Sequence, residues 1–417
     1  MSRKVVIVGG GIIGLFAAYN AVQDGFEVTV LERNTPERDG CSYGNAGMVV
    51  PSHFVPLAAP GMVKLGLKWM WNPKSPFYIK PRASWDLLAW GYHFWRAATK
   101  RHVEQCAPVL RDLNLASRAA YEELADRHGM DFGLTRRGLL MLCRTQHALD
   151  EEAVMAREAE RLGVPAQVLT ADETAKADPG IRMSIAGSIL FPKDCHLSPQ
   201  LLMSKLQEWL LANGAKLVFG AEVSAWKTSN GRVTTAVTTK GDFGADEFVL
   251  CGGAWSSVTA RDLDLSLPMQ AGKGYSLTLT KPRQLPALCS IFVEARVAIT
   301  PMGDTLRFGG TMELGGINLD PNPLRVQGIT ESVPKYFPDF KESDFTGITA
   351  WSGLRPCSPD GMPFLGRTAR WENLVIATGH AMMGISLGPI TGKLVGDLLS
   401  RRSPRLPLQL LDPDRYA

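Results

Sequence analysis

Short runs of apolar residues alternate with helically spaced apolar stripes along the whole chain. The first run, over residues 4–8, predicts a buried strand, and the glycine-rich stretch 9–14 predicts a tight turn into a helix. A second apolar run over 27–32 ends on an acid, Glu32. The pattern therefore predicts that the chain begins with a strand, a glycine turn, a helix and a second strand.

Similar signals continue to the end of the chain. Further helices are predicted over 103–128, 147–162, 199–211, 324–336 and 387–399, with Ser198 as the N-cap of the third. A short helix is also predicted to begin at the capping pair Thr170 and Glu173. Further strands are predicted as a pair within 132–143, three runs within 216–250, and 275–280, 291–300, 306–312 and 374–378. The last strand again runs into a glycine turn and a helix, so the C-terminal pattern repeats the one at the start.

The glycines of the first turn have the spacing of a dinucleotide-binding fingerprint. Gly9, Gly11 and Gly14 fit G-x-G-x-x-G, in which glycine allows a tight turn, close approach to a pyrophosphate and close packing of helix on strand. The helix N-terminus presents N–H groups and a positive dipole end to phosphates. Glu32, eighteen residues after Gly14, is placed to accept hydrogen bonds from ribose hydroxyls.

Two other interpretations of this start are weaker. A glycine turn without a ligand does not explain why the strand, the glycines, the helix, the second strand and the acid occur in register. A signal peptide or membrane span is disfavoured because glycines interrupt the apolar run, which is far shorter than the ~20 residues that a span needs. The sequence therefore predicts a dinucleotide site.

Composition narrows the class of protein. A chain of 417 residues with 45% hydrophobic content is expected to form two domains. The net charge of +4 is too small for a nucleic-acid-binding protein. The seven cysteines include no C-x-x-C pair, so reduced thiols in a cytosolic chain are expected, and the histidines show no metal-ligand spacing, so no metal site is predicted.

The segment 62–101 differs from the rest of the chain. Its eight Lys and Arg residues against one acid give a balance of +7. It also holds five of the ten tryptophans, Trp69, Trp71, Trp85, Trp90 and Trp95. Basic and amphipathic aromatic residues together are typical of a helix lying on an anionic membrane surface. Cover of the core, or a contact between subunits, is the equally weighted alternative.

Two more glycine-containing stretches follow predicted strands. One is the loop Cys41, Ser42, Tyr43, Gly44, Asn45, Ala46, Gly47 and Met48, and the other is the turn Cys251, Gly252 and Gly253. Small residues let the backbone approach a ligand closely, which favours continued cofactor contact in the first stretch. An ordinary loop is the alternative.

Several ordered motifs together resemble one family. They are the fingerprint with Glu32 and Arg33, the loop 41–48, the run Gly272-Lys273-Gly274-Tyr275-Ser276-Leu277, the G-L-R-P run 353–356, and Gly379-His380 with Gly384. They resemble FAD-dependent D-amino-acid dehydrogenases of the D-amino-acid oxidase, glycine oxidase and sarcosine oxidase superfamily. The resemblance covers nearly the whole chain.

The resemblance implies an α/β fold. A Rossmann-like FAD-binding domain would be joined to a second, α+β substrate domain built on a large mixed sheet. The FAD-binding domain is expected to comprise 1–61, 150–268 and 347–417, and the substrate domain 62–149 and 269–346.

The resemblance also implies the cofactor contacts. Glu32 and Arg33 would hold the ribose, the backbone of Val223 would hold the adenine, and the N-terminus of the last helix would face the N1/O2 edge of the flavin. The full predicted set is Gly9, Gly11, Ile13, Gly14, Glu32, Arg33, Cys41, Ser42, Asn45, Ala46, Gly47, Met48, Val223, Gly253, Gly379, Met383, Gly384, Ile385 and Ser386.

Four residues are predicted at the substrate. Arg355, in the G-L-R-P run, is expected to bind the substrate carboxylate through its bidentate guanidinium, with a structural salt bridge as the alternative. Tyr275 is expected to hydrogen-bond substrate or shape the pocket, although a core tyrosine is nearly as compatible with the sequence. His53 and His380 are candidates to face the flavin ring, each with an ordinary loop histidine as the alternative. Covalent attachment of flavin through Cys357 is disfavoured.

The predicted function is FAD-dependent oxidative deamination of D-amino acids to 2-oxo acids and ammonia. A hydride would pass from the substrate Cα to flavin N5, giving an imine, and electrons would pass to a quinone or other carrier. The alternatives are a D-proline or hydroxy-D-proline dehydrogenase, an oxygen-using amino-acid, glycine or sarcosine oxidase, and a non-catalytic flavin subunit of a complex. The expected location is cytoplasmic, with 62–101 as a candidate contact with the inner membrane face.

Overall fold

The computed structural model describes residues 2–37, 40–69, 72 and 74–417. The strands are β1 Lys4–Val8, β2 Glu27–Glu32, β3 Met48–Val49, β4 Phe77–Ile79, β5 Leu139–Cys143, β6 Gln167–Thr170, β7 Gly187–Phe191, β8 Cys195–His196, β9 Lys216–Phe219, β10 Val223–Ser229, β11 Arg232–Thr238, β12 Gly241–Gly244, β13 Glu247–Leu250, β14 Gln270–Leu279, β15 Cys289–Phe292, β16 Val297–Met302, β17 Thr305–Leu314, β18 Trp351–Cys357, β19 Phe364–Arg367 and β20 Leu374–Thr378. The helices are α1 Ile12–Gln23, α2 Met62–Trp69, α3 Trp85–Ala97, α4 Lys100–Asp126, α5 Gln146–Arg161, α6 Ala171–Ala177, α7 Pro199–Ala212, α8 Ser256–Thr259, α9 Pro323–Thr330, α10 Val333–Tyr336 and α11 Gly384–Leu399.

A six-stranded sheet carries the glycine fingerprint. Its order is β19-β20-β13-β1-β2-β9, and all neighbours are parallel except β19 and β20. The strand order reverses at β1, with β2 on one side and β13 on the other. In such sheets the crevice at the carboxyl ends of the strands around this reversal is where a ligand binds. The first two strands and the helix between them therefore lie as predicted.

Helix α1 is buried along most of its length because it packs on the sheet and against α11. Glycine makes this close packing possible, since a Cβ at Gly392 would lie 2.5 Å from the Phe16 carbonyl oxygen. The tight contact fixes the N-terminus of α1 at the end of β1.

The second large sheet is mixed. Its order is β18-β14-β17-β16-β15-β5-β7-β6, with β4 beside β17. The β5–β15 and β4–β17 pairs are parallel, and the other pairs are antiparallel. One face is covered by an aromatic cluster in which the Phe292 and Tyr336 rings stack at 4.0 Å. The predicted α/β fold with a large mixed sheet is confirmed.

Strand pairing departs from the predicted domain limits in three places. Strands β6, β7 and β18 fall within ranges expected for the FAD-binding domain, yet they pair into the mixed sheet. These pairings join segments far apart in the chain, so local patterns do not reveal them. The domain boundaries as a whole stay a prediction.

Some predicted elements were wrong in detail. Within 132–143 only β5 is a strand, because its partners are β7 and β15 rather than a local hairpin arm. The helix expected over 324–336 is broken into α9 and α10, where Pro334, which lacks an N–H, stands in the first turn of the second. The stretch 216–250 forms five strands, not three. The capping box of Thr170 and Glu173 is present.

The segment 62–101 forms α2, β4 and α3, while Trp71 lies outside the described residues. Lys74, one of its eight basic residues, pairs with Glu331, whereas its one acid, Asp86, pairs with Arg261 outside the segment, so most of the positive charge remains. In the described part of the chain, no helix is both long and apolar enough to cross a bilayer.

Candidate active site

A cleft of about 410 Å³ opens at the carboxyl ends of β1 and β13. It is lined by these residues of the predicted cofactor set: Gly9, Gly11, Ile13, Glu32, Arg33, Cys41, Ser42, Asn45, Val223, Gly253, Gly384 and Ile385. The predicted His380 also lines it. The structure therefore brings segments from the start, middle and end of the chain to one crevice.

Two glycines of the fingerprint have no room for a side chain. Gly9 has a φ of +108°, and a Cβ there would lie 2.4 Å from the carbonyl oxygen of Cys251 on the neighbouring strand end. A Cβ at Gly14 would lie 1.8 Å from the Gly9 carbonyl oxygen. The turn can thus follow the sheet edge closely and leave the cleft open to a ligand.

The positive end of α1 faces this cleft. Gly11 precedes the helix and has no side chain with which to cap it, and the Ser42 hydroxyl accepts a hydrogen bond from the Ile12 N–H at 3.0 Å. Backbone N–H groups at a helix start, with small polar residues beside them, suit a pyrophosphate.

The carboxylate of Glu32 is buried and held by the backbone. Its Oε2 accepts from the Gly10 N–H at 2.8 Å, and its Oε1 accepts from the Asn34 N–H at 2.9 Å. These bonds fix the carboxylate where ribose hydroxyls would reach it. Beyond it, the Arg33 guanidinium carbon lies 4.3 Å from the ring centre of Trp255, a cation–π contact that closes this end of the cleft.

The rest of the predicted set does not line the cleft. These residues are Gly14, Ala46, Gly47, Met48, Gly379, Met383 and Ser386. The Ser386 hydroxyl accepts from the Val50 N–H at 2.9 Å and donates to Asn114 at 2.6 Å, so it ties α11 to the residue after β3 and to α4.

Sequence reasoning missed part of the lining. Missed residues include Ala221, Trp226, Cys251, Trp255, Asp262, Leu354, Pro356, Thr378 and Ala381. Leu354 and Pro356 lie on β18, the end strand of the mixed sheet, so the cleft reaches the edge of that sheet. The signal that could have pointed to Leu354 and Pro356 is the G-L-R-P run, which the sequence had already marked because of its arginine.

Arg355 lies between these two residues and points to the opposite face of β18. Its Nη1 donates to the Thr311 carbonyl oxygen at 2.5 Å, and its guanidinium lies flat on Gly274, where a Cβ would be 2.3 Å from Cζ. Burial raises the pKa of the Cys41 thiol, and the Arg355 cation opposes that rise. Because Cys41 lines the cleft, Arg355 lies where the cleft meets the face of the mixed sheet.

Comparison with known proteins identifies the family. Residues 4–398 match the family described as FAD dependent oxidoreductase. The chain belongs to this family. The predicted family and FAD as cofactor are thereby confirmed, and the glycine cradle, the positive end of α1 and the oriented Glu32 carboxylate fit an FAD at the cleft.

Individual relatives agree with this assignment. The D-amino acid dehydrogenase of Granulibacter bethesdensis is 30% identical over 419 residues, with 99% of this chain and 100% of the relative covered. The D-amino acid dehydrogenase of Allorhizobium ampelinum is 32% identical, with 99% of each chain covered. Among solved structures, the glycine oxidase of Geobacillus kaustophilus has a TM-score of 0.78 at 25% identity, with 100% of each chain covered.

Tyr275 of this oxidoreductase is not beside Arg355. Side chains alternate between the faces of β14, and Gly274 is the residue under the guanidinium, so Tyr275 points to the other face. There its hydroxyl donates to Glu313 at 2.8 Å and accepts from the Asn322 N–H at 3.3 Å. Tyr275 is 1% exposed. The structure therefore favours the core alternative for this residue.

The two candidate histidines are held differently. His380 lines the cleft, with Nε2 at 3.0 Å from the Thr391 hydroxyl, and burial lowers its pKa to about 3, so the imidazole is neutral. His53 lies in a hydrogen-bonded chain outside the cleft lining, with Nδ1 3.0 Å from the Ser52 hydroxyl, which donates to Asp194. Burial lowers the pKa of His53 to about 4. Only His380 is thus placed at the cofactor cleft.

Cys357 is expected not to carry the flavin. Its side chain is buried in a cluster with Trp90, Met312 and Leu314, and burial raises the pKa of its thiol to about 12, so it stays protonated at neutral pH. We expect acid precipitation to release all of the FAD into the supernatant, measured by its absorbance. A yellow pellet would contradict this expectation.

Proposed function

We propose that this oxidoreductase is a D-amino-acid dehydrogenase. It would convert a D-amino acid through an imine to a 2-oxo acid and ammonia, and pass the electrons to a quinone or another carrier. The names of the two curated relatives, which cover nearly the whole chain, support this proposal. The observation that carries it is the Arg355 guanidinium, which lies on the mixed sheet between Leu354 and Pro356, two residues that line the cofactor cleft.

The residues of this chain would orient the substrate. FAD supplies the acceptor for a hydride when it is bound. The guanidinium of Arg355 is anchored on one side by Thr311 and presents a planar fork that matches a carboxylate. Fixing the carboxylate fixes the direction of the Cα–H bond, which is the main contribution that positioning makes to such a reaction. No general base is required if the amine enters neutral.

Anaerobic reduction of the flavin tests the proposal. The purified holoenzyme is mixed with D- and L-amino acids, including the stereoisomers of proline and hydroxyproline, and absorbance of oxidised flavin is followed by stopped flow. D-enantiomers are expected to bleach the flavin and L-enantiomers are not. Bleaching by none of them would favour a non-catalytic flavin subunit, and bleaching by L-enantiomers alone would overturn the stereochemistry.

The likeness to glycine oxidase favours a second candidate, an oxidase that uses oxygen. An aerobic assay separates the two functions. An oxidase forms one hydrogen peroxide per imine, whereas a dehydrogenase reduces an added quinone analogue and forms little peroxide.

An exposed aromatic face on α3 supports contact with a membrane. Trp85, Leu88, Tyr92 and Trp95 recur at helical spacing and are 86%, 62%, 54% and 63% exposed. Exposed cations lie in the same segment, including Lys68 on α2, Arg96 near the end of α3 and Lys100 at the start of α4. An apolar stripe with a cationic border suits anionic lipid and would place the enzyme beside a membrane-dissolved quinone.

Replacing Trp85 and Trp95 with serine is expected to reduce binding to vesicles of phosphatidylcholine and phosphatidylglycerol by about tenfold or more, because two buried indoles are lost. Sedimentation with the vesicles measures this. The matched control replaces Leu201 and Leu211 of α7, which are 48% and 57% exposed, with serine. Equal binding of both variants, or no binding by the parent protein, would contradict a membrane role for α3.

A further inference from the structure

The indole of Trp351 and the Arg355 guanidinium lie on the same sheet face. Both residues are on β18, four positions apart, so their side chains point the same way. A Cβ at Gly353 would lie 2.1 Å from Cη2 of Trp351, just as a Cβ at Gly274 would lie 2.3 Å from Cζ of Arg355. Each side chain therefore lies flat in space that a glycine leaves open.

Those two glycines are direct neighbours across the strands, since Gly274 pairs with Gly353. The Cβ positions of such a pair are about 5 Å apart, so the indole edge and the guanidinium carbon are within about 10 Å of each other. The register partner of Arg355 itself is Gly272, so the side chain leans along the sheet toward Trp351. A carboxylate on the guanidinium would thus have the indole as its neighbour.

The opposite direction along β18 is closed. There the Cys357 side chain packs with Trp90, Met312 and Leu314, and the Trp90 N–H donates to the Cys357 carbonyl oxygen at 2.9 Å. Trp351 and Arg355 are both only half-buried. An amino acid held by its carboxylate would therefore extend its side chain toward the indole.

The indole also contacts the cofactor loop. A Cβ at Gly44 would lie 2.1 Å from Cδ2 of Trp351, so the ring is held between Gly44 and Gly353. Gly44 follows Cys41 and Ser42, which line the cofactor cleft. The ring is thus fixed at the point where the cofactor loop meets the substrate face.

We propose that Trp351 determines substrate specificity, as the wall against which the side chain of the bound amino acid packs. This inference rests on the proposed function, because it takes Arg355 as the carboxylate anchor. A flat, apolar and rigidly held ring selects amino or imino acids with an apolar side chain or ring over glycine and D-alanine, which are too short to reach it.

Replacing Trp351 with alanine tests the proposal. The quantity that decides is the ratio of kcat/KM for substrates with larger side chains to kcat/KM for D-alanine. We expect kcat/KM for D-valine and D-proline to fall by about tenfold more than kcat/KM for D-alanine, because only the longer side chains lose a contact. If Trp351 had a purely structural role, such as support for the loop at Gly44, its replacement would lower kcat/KM for all substrates by the same factor. An unchanged ratio between substrates would overturn the inference.

A binding measurement separates this inference from the proposed function. Cyclohexanecarboxylate and acetate are titrated into oxidised holoenzyme, and the flavin spectrum reports binding without turnover. The parent protein is expected to bind cyclohexanecarboxylate with a Kd about tenfold lower than that for acetate. The Trp351→Ala variant is expected to lose this difference. Equal preference in both proteins would refute the role of Trp351, even if D-amino acids reduce the flavin.

Two further variants test whether misfolding accounts for the effect of Trp351→Ala. Trp351→Phe keeps a flat apolar ring and should retain most of the preference, while its FAD content confirms that the loop is intact. Trp209→Ala removes a tryptophan of α7 that packs at 4.3 Å on Tyr19, remote from the sheet face. This variant should leave the ratio of kcat/KM between substrates unchanged. If that ratio changes in Trp209→Ala as well, it reports a general loss of rigidity in the protein and not the loss of a substrate contact.

Discussion

Replacing Arg355 with methionine is expected to lower kcat/KM for a D-amino acid by roughly 10²–10³-fold while FAD stays bound. Methionine fills similar space but leaves the substrate carboxylate without its charged partner, a loss of about 3–4 kcal/mol when the pair is partly desolvated. The glycine cradle and Glu32, rather than Arg355, are expected to hold FAD, so its content should not change. Steady-state kinetics and the absorbance ratio of flavin to protein measure the two quantities.

Two companion variants make the Arg355 result specific. Arg355→Lys keeps the charge without the planar fork and should recover only part of the activity. Arg283→Met removes an arginine that pairs with Asp344 and is 51% exposed on the same domain, and should leave kcat/KM unchanged. Near-normal kinetics of Arg355→Met would show that another group binds the carboxylate.

Local sequence patterns were sufficient for the cofactor half of this site. The G-x-G-x-x-G spacing and the acid at Glu32 depend on contacts within one strand–helix–strand unit, and steric rules assign each glycine a role. The structure agrees, with Gly9 and Gly14 each excluding a Cβ. The second glycine turn, after β13, was recognised for the same reason, because it follows a buried strand, although only Gly253 in it was assigned to the cofactor.

The substrate half depends on strand register, which local patterns do not encode. Tyr275 and Gly274 are adjacent in the chain, yet one points into the aromatic core and the other lies under Arg355. Only the pairing of β14 with β18 decides which face each residue occupies, and a shift by one residue would exchange them. The contact of Arg33 with Trp255 was hidden in the same way, since it joins segments far apart in sequence.

Replacing Gly14 with alanine is expected to yield protein with little or no bound FAD. Helix propensity alone predicts the reverse, since alanine in place of glycine stabilises a helix by up to about 1 kcal/mol. At this position the new Cβ would lie 1.8 Å from the Gly9 carbonyl oxygen, so α1 must move away from β1 and carry its N-terminus out of the cleft. We expect overpacking to cost about 3 kcal/mol of stability.

The matched control for Gly14 is Gly91→Ala on α3. A Cβ at Gly91 would meet nothing within 4 Å, so only the higher helix propensity of alanine affects stability there. The variant should therefore be at least as stable as the parent protein. The flavin-to-protein absorbance ratio and the thermal unfolding midpoint, each measured with and without added FAD, compare the two variants. Full FAD content in Gly14→Ala would mean that α1 need not lie this close to β1 for the cofactor to bind. In that case contacts elsewhere in the cleft, rather than the glycine cradle, would set the affinity for FAD.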